Sequence, residues 1–274
     1  MLNLLRVERY KLIKNKVFWV LVSIIVAVTL LSVLLFFLEE RGIIEAVEDD
    51  GFSIMEVNEQ EAEVLQNDGI SFFMDTFYAS DWMITVLLIS VLGAFMIATE
   101  NSIGTLKNTV SIGYGRREIY LSKLAIFSIG SIVLFLFISV AFGFFGSLFF
   151  GIGDLPAIDE FVLLGKVVLL SSLYIVSFAA IVMLFSMIVR GSGLAILASL
   201  GFFLLFGPAL AYFGQKYVLF ESINHYSVYY RFMTIAGSNL SNVKVLLELT
   251  AIPVVTAIVF IGLGMIVFQK KDIQ

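Results

Sequence analysis

Six stretches of this chain contain no Asp, Glu, Lys or Arg and are long enough to cross a bilayer: 17–38, 82–99, 124–153, 167–189, 191–215 and 249–269. A spanning helix needs about 20 apolar residues, within a range of roughly 17–25. Lipid offers no partner for backbone N–H and C=O groups, so such runs must close their hydrogen bonds internally, as helices. The pattern predicts an all-α membrane protein: a single transmembrane domain over 1–274 with six transmembrane helices. The spans fall near 17–38, 82–100, 122–148, 161–188, 193–213 and 248–268. Composition agrees, with 60% hydrophobic and 14% charged residues, against roughly 45–50% and about 25% in soluble domains.

Charge fixes the expected orientation, because Lys and Arg collect on the cytoplasmic side. One set of loops holds Arg6, Arg9, Lys11, Lys14, Lys16, Lys107, Arg116, Arg117, Lys123, Arg190, Lys270 and Lys271. The other holds Arg41, Lys216, Arg231 and Lys244. Both termini and the loop after the second span are therefore expected in the cytoplasm. Lys166 stands near the outer end of the fourth span, where it can snorkel outward. Residues 1–16 run into the first span without a break. Leu2, Leu5, Leu12 and Ile13 suggest one apolar side for an interfacial helix on the inner leaflet, although Arg9 interrupts it. No small-residue cleavage site follows Leu38, so the first span reads as a retained anchor.

The predicted outer loop at 39–81 carries thirteen carboxylates against Arg41 alone. The bland account is a solvated, partly helical loop; the sharper one is capture of a cationic substrate. The outer segment 214–247 holds Tyr217, Phe220, Tyr226, Tyr229, Tyr230 and Phe232, which suits short helices at a membrane surface. Asn239-Leu240-Ser241 matches a glycosylation acceptor, a weak three-residue signal. Glycines 143, 146, 151 and 153 suggest that the third apolar run ends in a bend or an interfacial stretch. Pro208 inside the fifth span predicts a kink.

Several chemistries are excluded. There are no cysteines and one histidine, His225, so thiol catalysis and multi-histidine metal sites fall away. No Gly-x-x-x-x-Gly-Lys-Ser/Thr run is present to cradle a nucleotide. The spans hold almost no ionisable groups, where ion-coupled carriers usually carry carboxylates or histidine. No catalytic residues are expected. A transporter built this way must draw its energy from a partner.

Between the second and third apolar runs lies a polar island, 99–124, with Glu100, Lys107, Arg116, Arg117, Glu118 and Lys123. Ile119, Tyr120 and Leu124 recur at helical spacing among its basic residues, as on a helix lying along a surface. Gly113 and Gly115 mark a turn, and Gly115 stands where it can cap a short helix beginning at Arg116. Glu100, then Gly104-Thr105-Leu106-Lys107-Asn108, then Gly115-Arg116-Arg117-Glu118-Ile119-Tyr120-Leu121-Ser122-Lys123 resembles the permease subunits of bacterial type-2 ATP-binding-cassette exporters. Glu8, Lys11, Lys14 and Phe18-Trp19 resemble that family's lead-in to the first span.

The resemblance implies two six-span subunits, identical or paralogous, in lipid, each resting on one of two copies of a cytoplasmic ATPase that carries the ATP and Mg. No cofactor is expected on this chain and no nucleic-acid partner. The loop 101–121 would contain the coupling helix. Glu100, Gly104, Thr105 and Lys107 would brace it, and Arg116 and Arg117 would meet the ATPase. Spans two and five would line the path, placing Phe95, Met96, Phe202, Phe203, Phe206 and Pro208 near it, although for any one of these residues lipid-facing or core packing is the simpler account. The expected function is export of an amphipathic substrate (a peptide antibiotic or bacteriocin, a drug or a lipid-like molecule) across a bacterial cell membrane. A secondary carrier or channel, or a membrane scaffold or sensor, are the rival readings.

Overall fold

The computed structural model describes residues 1–43, 68–78, 82–100, 113–153, 156–189, 191–235, 238, 240 and 242–270. Gly104, Thr105 and Lys107, most of the acidic loop, and Asn239 and Ser241 lie outside the described residues. The described residues form helices joined by turns, with no strand among them. In chain order they are α1 (Leu2–Lys14), α2 (Lys16–Glu40), α3 (Gly69–Tyr78), α4 (Trp82–Gly93), α5 (Arg116–Phe150), α6 (Ile158–Ile188), α7 (Ser192–Gly214), α8 (Val218–His225), α9 (Val228–Met233) and α10 (Val243–Lys270). Helices α2, α5, α6, α7 and α10 are long and apolar enough to cross a membrane, and Met83–Ala98 is a shorter apolar helix. The chain is thus a multi-pass, all-α membrane protein.

Helix α6 is the most enclosed span and α2 and α10 the least. Val167, Tyr174, Ile175, Phe178, Ala179, Val182 and Met183 put one side of α6 into the main core, where α4, α5, α7 and α10 meet it. Small residues allow close approach: an added Cβ on Gly93 of α4 would lie 2.6 Å from Val182 and 2.8 Å from Phe127. Such approach supports packing in lipid, where no hydrophobic force draws helices together. Beyond Gly93 the second span passes through a π turn, Ala94–Ala98, and is helical at Thr99 and Glu100. Ala94 and Ala98 pack there against Ala195 of α7.

Four expectations change. The run at 116–124 is not a short surface helix: α5 continues from Arg116 through the third span without a break. No Gly or Pro stands between Arg117 and Ser128 to stop it. Nor does α5 break at Gly143 or Gly146; of the four glycines it is Gly151 that ends it. It remains helical to Phe150, and Gly143 and Gly146 form a seat for α3 instead. A Cβ on Gly146 would meet Phe72 at 2.8 Å, and one on Gly143 would meet Phe73 at 2.8 Å. The buried stripe of α1 is Leu4, Glu8 and Leu12, while Leu2 and Ile13 are exposed. Lys166 donates to the Leu240 carbonyl at 3.4 Å, tying α6 to the segment before α10 rather than only reaching outward.

Two short helices, α8 and α9, follow α7. Gly207 lets the Tyr229 ring of α9 lie against α7, since a Cβ there would sit 2.9 Å from the ring. Phe232 of α9 is fully buried against Tyr174 and Phe178 of α6. Pro208 lies inside α7, which stays helical on both sides of it.

Candidate functional site

Lys123 is the least expected side chain in the core. It sits two turns into α5, and 2% of its surface is exposed. Burying an ammonium costs several kcal/mol unless opposite charge meets it. Its Nζ is 2.9 Å from Glu8 Oε1 of α1 and also contacts Glu100 Oε2 at the end of the second span. Lys11 completes the arrangement, 3.0 Å from Glu8 Oε1 and 2.9 Å from Glu100 Oε1. Among the described residues, the four groups form a ring in which each acid meets both bases. Glu8 is 3% exposed, and the ring opens outward on the Lys11 and Glu100 side. Burial lowers the affinity of Lys11 for its proton, but the Glu100 hydrogen bond and the two carboxylate charges outweigh it and hold its pKa above the usual lysine value.

Local sequence explains how the three elements meet. Glu8 lies in line with Leu4 and Leu12 at i and i+4 spacing, so the face that packs on α5 carries a carboxylate. The orientation of α1 is fixed by the corner that follows it. Asn15 ends α1 with an N–H bond to the Leu12 carbonyl, and its side chain accepts from Val17 N–H at 2.9 Å to open α2. The Trp19 indole N–H donates back to the Ile13 carbonyl at 2.7 Å. On α5, Lys123 stands one turn beyond Ile119 and next to Leu124, both buried.

The first turns of α5 also hold the end of the last span. Arg116 donates to the carbonyls of Gln269 at 2.6 Å and Phe268 at 3.4 Å. Those carbonyls close α10, where a cation also suits the helix dipole. Gly264 lies against the buried Tyr120 ring: an added Cβ would sit 2.1 Å from its hydroxyl oxygen. Tyr120 and Phe268 face each other at 6.2 Å between ring centres. Thus residues 116–123 gather α1, Glu100 of the second span and the last turn of α10 in one place.

The residues read from the sequence divide accordingly. Glu100 is in the ring. Arg116 is half-buried and bound within the chain, whereas Arg117 is exposed. Phe95, Met96, Phe202, Phe203, Phe206 and Pro208 do not share one environment. Met96 and Phe203 are buried in the core, Phe203 against Phe178 at 5.4 Å. Phe202 is half-buried and stacks on Phe206 at 4.9 Å. Phe95, Phe206 and Pro208 are exposed. Among the described residues, no group of three or more His, Cys, Asp or Glu could hold a metal ion.

Sequence reasoning placed Lys123 on a surface and gave Glu8 and Lys11 no partner. The available signal was Glu8 itself, a lone acid between two leucines at helical spacing, which demands a buried base. Comparison with protein families matches residues 2–273 to the family described as ABC-2 family transporter protein. No curated protein matches the chain.

Proposed function

We propose that this chain, which belongs to the family of ABC-2 transporter proteins, is the membrane permease of an ATP-driven exporter in a bacterial cell membrane. ATP and its magnesium sit on a separate cytoplasmic ATPase, two copies serving two permease subunits. The observation that carries this reading is the ion-pair ring at the base of the loop after the second span. Glu100 precedes that loop and Lys123 follows it, so their pairing clasps its two stems. A force applied to the loop by ATPase closure would reach spans two and three together, and α1 through Glu8 and Lys11. Arg116 would pass it to α10. Such a junction suits alternating access, in which packed helices switch between two arrangements.

The substrate is amphipathic, in this reading a cationic peptide or a drug or lipid of similar character. The thirteen carboxylates in the sequence at 39–81 support the cationic preference. Spans two and five meet through Ala94, Ala98 and Ala195, and the π turn at Ala94–Ala98 suits a path, since such turns recur at functional sites.

The test is recovery of a nucleotide-binding subunit with the tagged permease from solubilised membranes. Arg117→Glu is cleaner than Arg116→Glu, because Arg116 also holds α10. Reversing one exposed charge should lower ATPase recovery by about tenfold, equivalent to ~1.4 kcal/mol. Wild type that recovers no ATPase while remaining folded would end the exporter reading.

A further inference from the structure

We propose that the outward face of α1 binds the phosphate headgroups of anionic lipids in the leaflet it lies on. The ring leaves that face with an unusual charge balance. Glu8 is the one acidic residue in 1–16, and it is turned inward and neutralised by Lys11 and Lys123. Arg6, Arg9 and Lys14 point the other way and are exposed, as is Lys16 just beyond. No acid on α1 remains to compete for them.

The same face is too apolar to rest in water alone. Tyr10 is 64% exposed, Val7 50% and Ile13 52%, interleaved with the three bases. Basic side chains alternating with apolar ones are what an interfacial helix presents to anionic lipid. Position adds to the argument. Only Asn15 separates α1 from α2, which is charge-free from Val17 to Leu38. The α1 helix is therefore held beside the first turn of a span, which would set it near headgroup depth. Each basic residue near an anionic surface is worth about a fivefold gain in binding. Because the opposite face of α1 is locked into the ring, headgroup occupancy bears directly on Glu100 and Lys123.

The experiment uses the full-length permease, reconstituted in nanodiscs that mix phosphatidylcholine with a minority of phosphatidylglycerol. Lipid retained after gentle extraction is counted by mass spectrometry of the intact protein. Wild type should keep phosphatidylglycerol several-fold above its share of the mixture. Arg6→Gln/Arg9→Gln/Lys14→Gln should lower that preference by about fivefold or more. A Trp82→Phe background leaves Trp19 as the single indole, whose emission reports whether the α1–α2 corner is intact; it should not change. Equal retention of both lipids by wild type, or an unchanged preference in the triple variant, would overturn the proposal. So would loss of a copurifying ATPase in the triple variant with lipid preference intact, which would assign the face to that partner instead. Neither result depends on the transport reading, because the lipid count needs no ATPase.

Discussion

At the scale of single residues, the ring predicts an inverted cost of substitution. Lys123→Met leaves two carboxylates facing Lys11, and breaking a buried pair on one side costs about 3–5 kcal/mol. Adding Glu8→Gln removes the buried acid and leaves Lys11 and Glu100 as a neutral pair, half-open to water. The double variant should therefore be more stable than Lys123→Met alone, although it lacks more native contacts. Thermal unfolding in detergent, followed by tryptophan emission, reads the order directly; a double variant less stable than the single would mean that the ring is not held by charge balance. Lys123 also shows where sequence reading stops. Ionisable residues near span ends default to water, because the spacing of one helix says nothing of what another brings to it. Glu8 and Lys123 are 115 positions apart. Glu100 was singled out through a motif, for a place beside the loop, and its pairing with Lys11 and Lys123 was not foreseen.

At the scale of elements, the charge-free windows were sufficient to read the long helices, since lipid leaves an apolar run little alternative to a helix. Their ends were less legible. Helix α5 absorbs the stretch that resembled a separate surface helix, because a continuous backbone with neutralised Lys123 has no reason to break there. A partly helical acidic segment was expected, but its charge count suggested solvent and not the packing of α3 on α5. What the sequence showed as a flaw in the third span, Gly143 and Gly146, is the seat that α3 requires. Asp68 caps α3 by accepting from Ser71 N–H at 2.8 Å, and Gly69 N–H donates to the Gly151 carbonyl at 2.9 Å. Gly146→Val should lift α3 away. The protein has no cysteines, so Phe77→Cys, further along α3, reports the docking of that helix without removing the Phe72 ring that Gly146 seats. Phe77 is 2% exposed, and maleimide should label Cys at that position slowly in the native background and at least about tenfold faster with Gly146→Val. Equal rates would show that α3 is held by something other than the glycine seat.

For the whole molecule, the net charge of −5 conceals a polarity. Twelve of the bases fall in the stretches read as cytoplasmic, and thirteen of the acids fall in 39–81. Bases of that distribution follow from topology, but acids do not, because Asp and Glu contribute little to orientation. An acidic outer segment would instead act by its field, raising the local concentration of a cationic substrate without a shaped pocket. Such attraction weakens with salt, as the screening length falls from about 30 Å at 0.01 M to about 8 Å at 0.15 M. Binding of a cationic amphipathic peptide to the reconstituted permease should therefore fall steeply across that range. Replacing Glu45, Glu48, Asp49, Asp50, Glu56, Glu59, Glu61 and Glu63 by their amides should flatten the salt dependence while leaving residual, salt-insensitive binding from the apolar contacts. A steep dependence that survives those replacements would place the attraction elsewhere on the protein. Salt-insensitive binding by wild type would remove the electrostatic case for a cationic substrate, and a neutral, lipid-like one would then fit the apolar spans better.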